Sequence, residues 1–184
     1  MATTPTLTQY FVASSIDGFI ADEHDNLDWL LQLDGGPADD TNPYAEFIKD
    51  VGAIAMGSTT YEWIQRYDPG KWEYGDLPTW VFTHRELTPF EGANLVFTSG
   101  DAQKVHSDMV AAAGGKNIWL VGGGDLVGQF MDHDLLDEIW LSLAPVTLGK
   151  GAPLLPRRRT EPMRLTSVTP ARNGTFAHLR YSLR

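Results

Sequence analysis

The sequence predicts an α/β fold: a mostly parallel central sheet with helices on both faces and an antiparallel hairpin at its C-terminal edge. Three observations carry this expectation. Short apolar runs alternate with segments of helical spacing from Thr8 to Asp132, as strand–helix units around a buried parallel sheet do. After that the period drops to two residues, in Ile139, Leu141 and Leu143, the spacing of a strand with two unlike faces. Finally, Ala171-Arg172-Asn173-Gly174 separates two further strand-like runs, 163–169 and 176–183, which is a hairpin signal.

The elements run in this order. Residues 8–14 read as a first strand, with Tyr10 and Val12 on one face and Phe11 and Ala13 on the other. The polar stretch 22–26 leads to a short helix around 27–33, broken by Gly35-Gly36-Pro37. Asn42-Pro43 reads as an N-cap followed by proline at the first helical position, and Tyr44, Phe47, Ile48 and Val51 have helical spacing. Residues 53–56 form a buried strand running into Gly57-Ser58-Thr59-Thr60-Tyr61-Glu62, where Thr59 and Glu62 have the spacing of a capping box. Strands at 79–83 and 94–98 come next. A helix opens at Ser99-Gly100-Asp101, with Val105, Met109 and Ala112 on one face, and ends at Gly114-Gly115. The run 118–121 is a strand, and Gly122-Gly123-Gly124 links it to a helix reaching Asp132.

Composition narrows the function classes. The chain has 184 residues, of which 42% are apolar and 21% charged, with six Trp. That suits one domain spanning residues 1–184 with a sizeable core. Without cysteine there is no disulfide or thiolate chemistry, and the expected location is the cytoplasm. No apolar run reaches the length of a membrane span, and residues 1–8 carry no signal-peptide pattern. The net charge of −10 speaks against nucleic acid as a partner. The one basic run, Arg157-Arg158-Arg159, reads as a solvated loop, or as a subunit contact.

Open α/β sheets bind ligands at the carboxyl ends of their strands. Four polar or Gly-rich stretches fall there: 57–60, 83–85, 99–101 and 122–125. The triple glycine has no Cβ, so a ligand can approach its amides, and amides at a helix start favour an anion. A phosphate-binding turn and a plain strand–helix turn both satisfy this pattern.

The motifs together resemble the dihydrofolate reductase fold, and within it the reductase domain of riboflavin biosynthesis, the C-terminal part of the bifunctional deaminase-reductase. The resemblance rests on the stretch from Val12 to Ala21, on Asn26-Leu27-Asp28-Trp29-Leu30, and on the stretch from Ile54 to Glu62. It rests further on Trp119-Leu120-Val121-Gly122-Gly123-Gly124 and on the stretch from Ala144 to Leu154. No deaminase segment or zinc-binding Cys/His set accompanies them, so the form expected is a stand-alone reductase.

The resemblance implies a dihydrofolate reductase-like three-layer fold, with NADPH as the cofactor. It also implies roles for particular residues. Gly57, Ser58, Thr59 and Thr60 meet the cofactor's phosphates and ribose, with Thr59 also readable as a plain helix cap. Gly122, Gly123, Gly124, Asp125 and Leu126 form the pyrophosphate turn. Ala13, Ile16 and Gly18 lie along the nicotinamide-ribose side, and Asp17 is either a turn residue or a ligand contact. Thr83, Arg85 and Ser99 lie near the adenosine phosphate, where Arg85 is the well-placed cation for a 2′-phosphate; Ser58 stands where dihydrofolate reductases often carry a basic residue. His84 reads as an exposed loop residue.

Hydride transfer needs the acceptor held against the nicotinamide and shielded from water, with a proton from a side chain or solvent. Asp28 is the nearest match to the carboxylate that dihydrofolate reductases place on the first helix and is the candidate catalytic residue; it reads equally as a helix N-terminal carboxylate favoured by the dipole. Trp29 and Trp72 are candidate substrate contacts, with Trp63 and Tyr67 near them. Lys71 and Lys150 are the candidates to meet a substrate phosphate, and they are few, so a neutral or poorly charged substrate fits better. The expected function is NADPH-dependent reduction of a small heterocyclic or carbonyl substrate, a riboflavin-pathway pyrimidine or a pterin-like compound, by a homodimeric enzyme with no metal. A non-catalytic nucleotide-binding module and a flavin-binding oxidoreductase are the alternatives.

Overall fold

Strand β1 (Thr8–Ser15) lies between β6 (Asn117–Gly122) and β7 (Glu138–Ala144), parallel to both. A computed structural model describes residues 5–33, 43–171 and 174–184. β3 (Val51–Gly57) pairs with the other side of β6, and β4 (Thr79–Phe82) and β5 (Leu95–Thr98) continue outward, all parallel. Beyond β7 the antiparallel strands β10 (Ala177–Ser182) and β9 (Arg164–Pro170) close the sheet. Among the described residues this makes an eight-stranded sheet in the order β5-β4-β3-β6-β1-β7-β10-β9. A separate two-stranded pair, β2 (Phe19–Ala21) with β8 (Ala152–Pro153), holds the segment after β1 against the segment after β7.

β3 shows why the centre is parallel. Val51 to Met56 are all buried, so both faces of the strand need cover. Ala53 and Ala55 face one core with Tyr10, Ile118 and Leu120, covered by α4 (Ala102–Ala112) and α5 (Gly124–Asp132) through Met109, Val127 and Phe130. Ile54 and Met56 face the other core with Val81 and Trp119, covered by α2 (Tyr44–Phe47) and α3 (Ser58–Tyr67) through Phe47, Tyr61 and Ile64. The result is the three-layer arrangement.

Several local expectations change. α1 (Asp28–Leu31) is shorter than the apolar pattern suggested. Pro43 is the N-cap of α2, one position before the expected N1, and Val51 belongs to β3 rather than to the helix before it. α3 begins at Ser58 with Gly57 as its N-cap and no side-chain cap bond, so Thr59 and Glu62 form no capping box; the Glu62 carboxylate binds Arg85 instead. The buried positions of α4 are Ala102 and Met109, then Ala113 just past its end, while Ala112 is exposed, because the helix presents its stripe one residue further round. The helix end is as expected, with Gly114 and Gly115 both at positive φ. The β2–β8 pair has too few residues to leave a period in the sequence. Gly35-Gly36-Pro37, Asn42 and the Arg172-Asn173 part of the hairpin signal lie outside the described residues; Gly174 donates to the Ala171 carbonyl at 2.9 Å.

The basic run is not a solvated loop. Arg157 bonds Asp125 at 3.0 Å and Asp132 at 2.8 Å on α5, and Arg159 reaches the Leu183 carbonyl at 3.4 Å and Glu161 at 3.3 Å. Only Arg158 of the three is exposed.

Candidate functional site

The site begins where two strands end. β3 passes through Gly57 directly into α3, and β6 passes through Gly122 and Gly123 into α5. Both helices have a glycine N-cap in extended conformation and no side chain capping the first amides. A helix start left this way keeps donors without intrahelical partners and a partial positive charge. The two starts are adjacent: a Cβ placed on Gly57 would lie 3.7 Å from the Gly123 nitrogen, and one on Gly122 would lie 3.7 Å from Thr60 Oγ1. Gly122 has φ +143°, which side chains rarely adopt, and the Gly122–Gly123 peptide is cis. Gly124 is specified differently. Its Cβ position lies 2.4 Å from the Pro153 carbonyl and 2.5 Å from that of Leu154, so β8 presses directly on the turn. By contrast α4 is capped by Asp101, whose carboxylate accepts from the Gln103 amide at 2.8 Å.

In front of these helix starts lies a cavity of about 850 Å³, over the carboxyl-terminal halves of β1, β6 and β7. Its walls are mainly aromatic and aliphatic: Phe11, Trp63, Tyr74 and Phe176 are among them, and Leu27, Leu30 and Leu33 contribute from α1 and its flanks. The ionisable side chains lining it, tyrosines aside, are Asp25, Asp125 and His178, and no Lys or Arg is among the described lining residues. Arg157 holds the Asp125 carboxyl below the ordinary carboxylate value, with Gln129 adding a second donor. Burial pushes the hydroxyls of Tyr44 and Tyr74 up, so both stay protonated.

The residues expected at the site divide. Ala13, Thr59, Thr60, Gly122, Gly123, Gly124 and Asp125 line the cavity, and Gly57 adjoins the turn without lining it. Leu126 is buried in the core under α5. Ile16 and Gly18 lie in the turn after β1, outside the lining, where the Ile16 amide donates to the Val146 carbonyl and the Gly18 carbonyl accepts from Leu154. Asp17 there accepts from the Ser15 hydroxyl at 2.6 Å and from the Leu148 and Gly149 amides, which holds its carboxyl below the ordinary value. It fastens the loop after β7 to the loop after β1.

Ser58, Thr83 and Arg85 form a second cluster at the ends of β3 and β4. Arg85 takes both oxygens of Glu62 at 2.9 and 2.8 Å, donates to Ser58 Oγ at 3.0 Å, and its amide donates to Thr83 Oγ1 at 2.9 Å. Ser99 and His84 are exposed near by along the same rim. Asp28 is exposed, bonded to Asn26, and outside the cavity lining. Trp29 is half-buried and Trp72 packs against Tyr61, Tyr74 and Phe90; neither lines the cavity. Lys71 pairs with Glu73 and Lys150 with Glu23, both at the surface. Among the described residues no group of His, Asp and Glu could hold a metal ion.

Sequence reasoning missed Ser142 and His178, which line the cavity. The signal was present: each is a polar residue inside an apolar alternating run, Trp140-Leu141-Ser142-Leu143 and Ala177-His178-Leu179. Such a residue at an inward position has to find a partner.

The residues around the turn fit a dinucleotide. Two uncapped helix starts, Thr hydroxyls and a glycine surface offer donors to an anionic pyrophosphate, and the aromatic cavity beside them offers faces to a ring. The family model of the RibD C-terminal domain matches residues 6–176. The uncharacterized protein YwjB of Bacillus subtilis is 33% identical over 147 residues, covering 80% of this chain and 81% of that one. Among solved structures, a protein described as a riboflavin biosynthesis protein from Shewanella sp. PV-4 superposes with TM-score 0.80 at 24% identity, over 96% of this chain and 98% of that one. Dihydrofolate reductase from Enterococcus faecalis, complexed with NADP(H), superposes with TM-score 0.60 at 16% identity, over 96% and 91%. The fold is that of the riboflavin-pathway reductases and dihydrofolate reductase. No helix among the described residues is long and apolar enough to cross a membrane.

Proposed function

We propose that this chain, which belongs to the RibD C-terminal domain family, is an NADPH-dependent reductase of a small heterocyclic or carbonyl substrate. The observation that carries this reading is the meeting of two uncapped helix starts, at Gly57 and Gly123, beside an aromatic cavity. The NADP(H) bound to the Enterococcus enzyme of the same fold supports the choice of cofactor.

The bound cofactor would supply a hydride to the acceptor. The chain does the rest. Gly57, Ser58, Thr59 and Thr60 meet the phosphates and ribose, the turn from Gly122 to Leu126 holds the pyrophosphate, and Ala13, with Ile16 and Gly18 beyond it, borders the nicotinamide side. Thr83, Arg85 and Ser99 meet the adenosine end. Phe11, Trp63 and Tyr74 exclude water, which strengthens every polar contact inside. The absence of Lys and Arg among the described lining residues favours a neutral, pterin-like substrate over a phosphorylated pyrimidine. Residues 1–184 act as one reductase domain, in the cytoplasm, as a homodimer.

Titration calorimetry tests the cofactor. NADPH gives saturable heat, and Arg85→Ala weakens NADPH by about 10- to 100-fold, the worth of one to two charge-assisted bonds, while NADH is unaffected. Absence of heat with both coenzymes at millimolar concentration overturns the reading.

A further inference from the structure

Ser142 on β7 and His178 on β10 are direct cross-strand partners, and Ser142 Oγ and His178 Nδ1 share a hydrogen bond of 2.8 Å. Ala13 on β1 is in register with Ser142. Residues directly opposite across a sheet project from the same face, so Ala13, Ser142 and His178 form one row, and all three line the cavity. His178 is only 9% exposed, and its ring stacks on Phe176 with an interplanar angle of 15°. The neighbouring row is Phe11, Trp140 and Arg180. There the Arg180 guanidinium sits 3.3 Å from the centroid of the Trp140 ring. Ser142 and Phe176 thus both contact the imidazole on β10.

The other ionisable groups of this cavity are less suited to meet a ring substrate. Asp125 is ion-paired with Arg157 at the coenzyme turn. Asp25 is exposed in a turn with φ +56°. Tyr44 and Tyr74 are poor acids because of their burial. Asp28 lies outside the lining. On the far side of His178, Glu46 and Arg180 border a smaller cavity of about 380 Å³. A buried polar pair surrounded by aromatic walls, with no Lys or Arg among the described lining residues to receive a phosphate or carboxylate, selects by hydrogen bonds to an uncharged ring.

We propose that Ser142 and His178 are the substrate-recognition pole of this cavity, with His178 the residue that contacts and protonates an uncharged planar heterocycle. The inference rests on the reductase reading above. In the reaction, hydride from the reduced nicotinamide coenzyme adds to the carbon of a ring C=N bond, and the coenzyme leaves oxidised. The π pair moves to the ring nitrogen, which takes a proton from His178. Water then reprotonates His178. Ser142 is a positioning residue: it sets the rotamer and tautomer of the imidazole.

Pterin, a neutral fluorescent heterocycle, and uridine 5′-monophosphate, a phosphorylated pyrimidine, serve as probes. Pterin is expected to shift the ring resonances of His178 in ¹H–¹⁵N spectra of the wild-type protein, assigned by their loss in His178→Gln. Both His178→Gln and His178→Ala should weaken pterin at least tenfold, with tryptophan quenching by NADPH unchanged. Uridine 5′-monophosphate should bind at least tenfold more weakly than pterin. With a reducible pterin, Ser142→Ala should lower kcat more than it raises KM. Circular dichroism identifies a variant that fails to fold, and the wild-type spectra decide the matter without it. The proposal is overturned if NADPH binds but pterin does not, if pterin leaves the His178 signals in place, or if the phosphorylated pyrimidine binds as tightly. Loss of coenzyme binding in the wild-type protein would instead sink the reductase reading.

Discussion

Gly124 and Gly123 are neighbours with different constraints. A Cβ at Gly124 would press into the carbonyls of Pro153 and Leu154, whereas nothing lies within 4 Å of one at Gly123. Gly124→Ala is therefore expected to cost about 1–3 kcal/mol, as overpacking does. For a chain of this size that lowers Tm by roughly 2–4 °C per kcal/mol. Gly123→Ala should melt near the wild-type temperature yet weaken the coenzyme, and differential scanning calorimetry with a coenzyme titration separates the two effects. The glycines were legible as a turn from their run alone. Which of them is held by packing was not, because the carbonyls that crowd Gly124 come from a strand nearly thirty residues later in the sequence. Arg85 was likewise legible as a cation at a strand end. Its two bonds to Glu62 were not, since 23 residues separate them.

At the scale of elements, Arg157 ties the segment after β8 to α5. It binds Asp125 and Asp132 and lies across Gly128, where a Cβ would meet its Cζ at 2.7 Å. The guanidinium lowers the Asp125 carboxyl below its ordinary value of 3.8. A carboxyl with a depressed folded value stabilises the fold at pH above 3.8, and that contribution is lost as pH falls through the folded value. Arg157→Gln is expected to destabilise by under about 1 kcal/mol at pH 7, because the paired carboxylates are largely exposed. The gap between variant and wild type should close as the pH drops below 3.8 in urea-unfolding series. A gap that widens on acidification contradicts the pairing. The run Arg157-Arg158-Arg159 looked like surface to the sequence because its partners, the acidic residues of α5, carry no mark of nearness in the linear chain.

At the scale of the molecule, β9 is the outer strand beyond β10, and its Leu165 and Val168 are 48% and 58% exposed. An outer strand with apolar side chains is a template for pairing. If the homodimer forms there, light scattering should give twice the 20.4 kDa of the chain, and Val168→Glu should return it to the monomer mass; a monomeric wild type rules the dimer out. With a net charge of −10, low salt should weaken the association. The sequence by itself determined the order of the strands of the main sheet and its helices, the change from parallel units to an antiparallel hairpin, and the glycine turn, because each is written in local periodicity or in residues with special backbone freedom. Tertiary structure alone decided which strand ends meet. It set Gly57 against Gly123, left Asp28 and Trp72 outside the cavity, and brought Ser142 and His178 into it. Those are contacts across strands far apart in the chain, and the register of a sheet is fixed by the packing of all its strands together.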